Sequence, residues 1–419
     1  MVNGELPDGW TMSTLDEVSE VILGQSPSSE TYNTNGNGLP FYQGKTEFGD
    51  LYPTTVKWCS KPNKIAEAGD ILISVRAPVG PTNLCQEKSA IGRGLAALRP
   101  KNGMPSKYLL YYLRLIENGW DRKATGTTFK AITGDVLRHQ EISVAPLLEQ
   151  ERIVAKIEEL FTQLEAGTSA LERVQAGLRR YKASVLKAAV EGSLTPRPSP
   201  TGRGDGVREG ELPEGWRWST VKELADEKPY SITDGPFGSK LKTEHYTESG
   251  PRVIRLQNIG DGEFRDEKSY ISREHFETLK RHRIYGGDLV IAGLGESLPR
   301  ACIIPDYVGD AIVKADCIRF KPNSNIADTK YLLFALNSET VKKLVAKVVH
   351  GVGRPRMNQQ EIKAIHIPLP PLEEQRRIVA EVERRLSVAR EVESAVEGAL
   401  VRASRLRQAV LKSAFGGKL

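Results

Sequence analysis

The chain has 419 residues, of which 39% are hydrophobic and 27% charged, with a net charge of +6. That is long enough for two domains of about 150 residues plus accessory elements, and no run of about 18 apolar residues is present to cross a membrane. The four cysteines (Cys59, Cys85, Cys302, Cys317) form no CxxC pair and have no metal-ligand spacing with the six histidines, so a reduced, metal-free chain is expected.

The opening MVNGELPDGW lacks the charged and apolar regions of a signal peptide, so a cytoplasmic location is expected. The same segment introduces an internal repeat. Residues 4–17 read GELPDGWTMSTLDE and residues 210–223 read GELPEGWRWSTVKE, with nine of fourteen positions identical. Residues 145–158 (APLLEQERIVAKIE) and 370–383 (PPLEEQRRIVAEVE) also share nine of fourteen. The offset grows from 206 at the openings to 218 at GDILI/GDLVI (69–73, 287–291) and 223 at KYLL (107–110, 330–333), then holds at 225 to the end of each half. Loops absorb insertions, whereas a packed helix loses its register. Each half therefore reads as a variable globular domain followed by a length-locked helix.

In the globular parts, 1–146 and 210–371, short β-like runs (70–75, 252–256, 288–292, 317–320) alternate with Gly, Pro and short helices (106–116, 328–336). This predicts an α+β fold with mixed domains. Basic and amide residues stand beside glycines in both. The first domain has Gln43, Lys45, Arg76, Arg93, Lys123 and Lys130, and the second has Lys240, Arg255, Gln257, Asn258, Arg300, Arg354, Arg356 and Asn358. Arg and Lys can pair with guanine edges and Asn or Gln with adenine, while glycine lets a backbone approach phosphate. Solvated surface charge is the competing reading of each.

After Pro146, apolar or small residues recur in a 3–4 alternation: Ile153, Ile157, Leu160, Leu164, Gly167, Leu171, Val174, Leu178, Tyr181, Val185 and Ala188. The second copy runs Ile378, Val382, Leu386, Ala389, Val392, Val396, Ala399, Ala403, Leu406 and Val410, with Arg385 standing where the first has Leu160. Five such heptads predict a coiled coil. The helices are expected over 147–194 and 372–419, ending at Gly192 and Gly416-Gly417, and about 65–70 Å long. Two tandem halves related by a pseudo-twofold would pair them antiparallel and carry the globular domains near opposite ends. Residues 195–209, TPRPSPTGRGDGVRE, read as a flexible linker.

Catalytic signatures fail. Residues 38–46 resemble a P-loop but have five residues between the glycines instead of four, Gly293-Leu294-Gly295 is a lone GxG, and no Asn or Asp precedes Pro370-Pro371 as an amino-methyltransferase would require. No Ser/His/Asp order or HExxH is found. A non-catalytic recognition protein is expected.

These residues carry a family resemblance. LPxGW in each half, GDILIS, RAPVG followed by IGRGL, and above all the PPLEEQRRIV entry to a long helix are similar to the specificity subunit of type I restriction-modification enzymes, across essentially the whole chain. The resemblance implies that residues 1–146 and 210–371 are target recognition domains, each reading half of a bipartite double-stranded DNA sequence. Residues 147–194 and 372–419 would be spacer helices that dock methyltransferase subunits, two in number. It also implies that S-adenosylmethionine and ATP belong to partner methyltransferase and restriction/translocase subunits, with no cofactor or metal on this chain. The alternatives are a coiled-coil scaffold whose domains bind protein or RNA, and an enzyme with an unrecognised site.

Overall fold

A computed structural model describes residues 6–124, 130–194, 212–347 and 355–419. Arg354 and the expected linker at 195–209 lie outside the described residues. The chain divides into two compact units, one of residues 1–172 and 397–419, the other of residues 173–396. Both units are α+β.

In the first unit an antiparallel four-stranded sheet has the order Ser19–Leu23, Leu95–Pro100, Ile71–Ser74, Thr82–Leu84. Ile71, Leu72 and Ile73 are all fully buried, because both faces of this strand are covered: Ile71 and Ile73 enter the main core while Leu72 enters a smaller one. A continuous apolar run is what a two-sided strand needs. A five-stranded sheet follows the order Tyr32–Asn33, Trp58–Cys59, Leu39–Tyr42, Ser89–Ile91, Ile65–Ala66, and Leu39–Tyr42 runs parallel to Ser89–Ile91. The P-loop-like stretch is thus a strand and a short turn. Its Gly38 is required because a Cβ there would lie 2.2 Å from the Cys59 carbonyl oxygen.

The second unit repeats the plan. One sheet orders Ile232–Thr233, Cys317–Phe320, Leu289–Ala292, Arg300–Ile303, and the other orders Tyr270–Ile271, Tyr246–Ile254, Ala311–Val313, Arg283–Ile284, with the middle pair parallel. The repeated phrases acquire structural roles here. In each LPxGW the tryptophan N–H donates to the proline carbonyl (Trp10 to Pro7, 3.1 Å; Trp216 to Pro213, 3.0 Å), across Gly9 and Gly215, both at φ +80. Only glycine takes that conformation without strain. The strand that follows pairs with the strand leading into a long helix, Thr11–Thr14 with Glu141–Val144 and Arg217–Thr220 with His366–Leu369.

The long helices span Leu147–Val190 and Leu372–Ala414, a little shorter than expected because Gly192 and Gly417, at φ +69 and +65, bring the backbone out of the helix. Each unit packs the start of one helix and the end of the other into its core. The first unit holds Ile153, Val154 and Ile157 with Leu411, Ala414 and Phe415. Phe415 meets Tyr108 and Tyr112 edge-on at 5.0 and 5.2 Å. The second holds Ile378, Val379 and Val382 with Val185, Ala189, Val190 and Leu194. The constant offset of the last third has its cause here: an insertion would rotate a helix end out of a domain core.

Within each unit the two helices run antiparallel. In the first, Arg152 donates to the Leu419 carbonyl at 3.0 Å while the Arg407 guanidinium lies 5.4 Å from the Phe161 ring. In the second, Lys182 pairs with Glu393, and the later Val185–Val190 turns pack with the earlier Ile378–Val382 turns.

The buried row departs from the expected heptads at mid-helix. Val174 is 44% exposed, Tyr181 43% and Val392 39%, whereas Gly167 and Leu406, though exposed, still line the gap between the helices with Leu160, Leu164 and Leu171. One row of covered positions runs Leu160, Leu164, Thr168, Leu171, Gln175, Leu178, Lys182, Val185 and Ala189, with Ser169, Ala170, Gly177 and Ala183 partly covered beside it. Two successive four-residue steps, Leu160 to Leu164 to Thr168, make a stutter, after which the three- and four-residue steps exchange places. The sequence reading kept strict heptads and so placed Val174 and Tyr181 in the seam, where polar Gln175 and Lys182 sit instead.

Candidate nucleic-acid interface

In the first unit, five segments meet at one edge of the sheets. The Gly92 N–H donates to the Tyr42 carbonyl (2.8 Å), Gln25 N–H to Ile91 (3.1 Å), Val75 N–H to Gly94 (2.9 Å), and Ala77 N–H to Lys130 (3.1 Å). The Arg93 N–H donates to the Ser26 hydroxyl at 3.3 Å. These bonds collect Gln43, Arg76, Arg93 and Lys130 on exposed backbone, with Lys45 two residues beyond Gln43. Among the described residues, the Lys45, Arg76 and Arg93 side chains have no ion-pair partner within 4 Å, whereas Lys130 stands 3.5 Å from Asp121. Exposed, unpaired cations held on a rigid frame are suited to anionic phosphates and base edges.

Two of the glycines here serve the chain's own packing. A Cβ on Gly24 would lie 2.2 Å from the Gly92 carbonyl oxygen, and one on Gly94 would lie 2.2 Å from the Gln43 oxygen. IGRGL is glycine-rich because the protein's own strands cross there.

The second unit builds the same frame. Lys314 N–H donates to the Ile254 carbonyl (2.8 Å), Gly293 N–H to Asp316 (2.7 Å) and Met357 N–H to Gly293 (2.7 Å). A Cβ on Gly235 would lie 2.0 Å from the Lys314 carbonyl carbon. Gly235 thus corresponds to Gly24, Lys314 to Gly92 and Asp316 to Gly94. The side chains differ: Arg356 donates to Asp316 (Nε, 2.9 Å) and lies 6.0 Å from the Phe237 ring. Arg255 is half-buried with the exposed Gln257 amide beside it, its oxygen accepting from both Nη atoms at 2.9 and 3.1 Å in the orientation that satisfies both groups. Lys240 is exposed at the neighbouring turn.

One expected contact is corrected, and three others are partly engaged within the protein. Asn258 is fully buried; its amide donates to the Arg265 and Glu267 carbonyls at 2.8 Å and accepts from Arg255 N–H at 2.8 Å, so it shapes a loop and reads nothing. Asn358 caps the helix Gln359–Lys363 through its side-chain oxygen. Lys123, exposed, donates to the Gln140 amide oxygen at 2.7 Å. Arg300 is half-buried and donates to the Leu256 carbonyl at 3.3 Å. Sequence reasoning missed Ser26, Phe237 and Lys314. Aligning Gly24 with Gly235 would have found the first two, while Lys314 stands where the first half has Gly92 and needed the structure.

Among the described residues no group of His, Cys, Asp and Glu could hold a metal ion. All four cysteines are buried and unpaired. Burial pushes the Cys85 thiol up to about 11 and that of Cys302 to about 12, which disfavours the nucleophilic thiolate. No described helix is long and apolar enough to cross a membrane.

The comparisons with known proteins agree with one another. Residues 7–173 and 258–386 match the family model described as type I restriction modification DNA specificity domain. A chain described as a type I restriction enzyme MjaX specificity subunit, from Methanocaldococcus jannaschii, is 38% identical over 190 residues, so that the match spans 45% of each chain. The EcoBI specificity subunit of Escherichia coli is 24% identical over the whole of this chain and 88% of its own length. Among solved structures, one bearing on assembly and conformational transition of the type I R-M system aligns with TM-score 0.74 at 21% identity, covering 99% of this chain and 100% of that one. At that identity it shows the fold.

Proposed function

The chain belongs to the type I restriction-modification DNA specificity family, and from that premise we propose that it is the non-catalytic, sequence-reading subunit for a bipartite DNA target. Residues 1–146 and 210–371 each read one half. The helices, within 147–194 and 372–419, dock two methyltransferase subunits, which supply S-adenosylmethionine, and restriction/translocase subunits using ATP join the assembly in the cytoplasm. The supporting observation is that one backbone frame occurs twice, presenting Gln43, Arg76, Arg93 and Lys130 in one copy and Phe237, Arg255, Gln257 and Arg356 in the other. Two different surfaces on one scaffold suit two different half-sites.

Methylation mapping in cells carrying the complete system tests this. Replacing residues 1–146 by the corresponding domain of a relative should change one half of the methylated motif and leave the other. A change in both halves, or in neither, refutes independent reading. Absence of any methylated motif, with binding to RNA or protein instead, would favour a scaffold.

A further inference from the structure

We propose that Phe237 reads a thymine in the half-site of residues 210–371 through the base's methyl group. This rests on the DNA-reading function just given.

Phe237 is 50% exposed, and the chain two residues before it is fixed. Gly235 is wedged against Lys314, where a Cβ would lie 2.0 Å from the carbonyl carbon, and Gly238 turns the chain at φ +63. The ring's neighbour is equally fixed. Arg356 lies 6.0 Å from the ring centroid and is held by Asp316 through Nε at 2.9 Å and Nη2 at 2.7 Å. Asp316 itself adopts φ +66, a conformation uncommon outside glycine. The frame therefore holds out a large apolar ring at the edge where cationic Arg255, Lys314 and Arg356 gather.

The cations suit the phosphates, but a phenyl ring gains nothing from them. The apolar surfaces that duplex DNA offers from its grooves are thymine methyl groups, and Phe is among the side chains that contact them. Inserting the ring between base steps would need the helix to unstack, at a cost of a few kcal/mol per step; a methyl contact needs no distortion. The corresponding residue in the first unit, Ser26, is occupied by the Arg93 N–H and offers no apolar surface. Thymine-methyl reading by this device belongs to the second half-site alone.

The test uses the full chain in complex with its methyltransferase subunits and a duplex carrying the mapped motif. Each thymine of the half-site assigned to residues 210–371 is replaced in turn by deoxyuridine, which removes only the methyl group. One position should weaken binding about fourfold, the worth of one buried methyl-sized group. Phe237→Ala should weaken binding to the thymine duplex by a similar factor and lose the thymine–uracil difference, while Phe237→Leu keeps part of it. Undiminished binding of uracil duplexes by the parent complex, or a thymine–uracil difference that survives Phe237→Ala, overturns the proposal, as does a half-site without thymine on either strand. A parent complex that methylates no bipartite motif would fail at the earlier step, the DNA-reading function. Unchanged reading of the other half-site by Phe237→Ala shows that the variant is folded.

Discussion

The Arg319 guanidinium donates to the Asp288 carboxylate across 2.6 Å inside the second unit, with both side chains under 10% exposed. Its counterpart in the first unit, Arg99 with Asp70, is a fork of 3.0 and 2.9 Å in which the arginine is 37% exposed. Each aspartate also fixes its turn by accepting a backbone N–H, Asp288 from Tyr285 and Asp70 from Glu67. The repeated Gly-Asp before the central strand is thus a buried acid that ties two strands and a turn. Burial holds the Asp288 carboxyl above its usual range, with the Arg319 charge pulling the other way. The pair's attraction is largely spent on its own desolvation, and breaking it is still costly.

Asp288→Asn should therefore destabilise the chain by about 3 kcal/mol, since it strands a buried guanidinium. Asp70→Asn should cost less, because water reaches Arg99. Urea unfolding of the two variants measures the order; equal losses would mean that burial does not set the cost.

The stutter predicts unequal tolerance along the first long helix. Ile157, fully buried, should lose about 2–5 kcal/mol on replacement by alanine. Val174→Ala should stay within about 0.5 kcal/mol, as surface changes do. Leu171→Pro should cost about 3 kcal/mol or more and abolish specific methylation by the assembled complex. Thermal unfolding ranks the first two, and a Val174→Ala loss matching that of Ile157→Ala would restore the strict heptads.

Hydrogen bonds from Arg384 and Arg385 hold the Glu381 carboxyl at about 2, well below its ordinary 4.5. A depressed carboxylate contributes stability that is complete above about pH 4.5 and is lost as pH falls through about 2. Glu381 lies at the surface with its side chain 24% exposed, and the titration itself is the readout. Its midpoint by NMR should rise in Arg384→Ala and again in the double variant with Arg385→Ala. A midpoint indifferent to both changes would exclude these arginines as the cause.

The purified chain alone should transfer no methyl group from S-adenosylmethionine to duplex DNA and should cleave none, with methylation appearing only when methyltransferase subunits are added. Scintillation counting of methyl transfer decides it, and transfer by the chain alone would revive the enzyme reading.

The repeat, the α+β class and the two long helices were legible in the sequence, because identical phrases, apolar runs and 3–4 periodicity are local properties that any fold of this chain must respect. The buried Gly-Asp turn and the LPxGW turn were visible as repeated letters without their reason. Which polar residue faces outward depends on contacts between distant segments. Asn258 and Gln257 are neighbours in sequence, yet one is enclosed by the Arg265 and Glu267 carbonyls and the other is exposed. The seam followed heptads only until Thr168, beyond which the partner helix determined which side of the first helix is covered. Periodicity specifies that a helix has an apolar face. Packing against a second helix decides which residues that face finally contains, because burial is a property of pairs of segments and the sequence presents them one at a time.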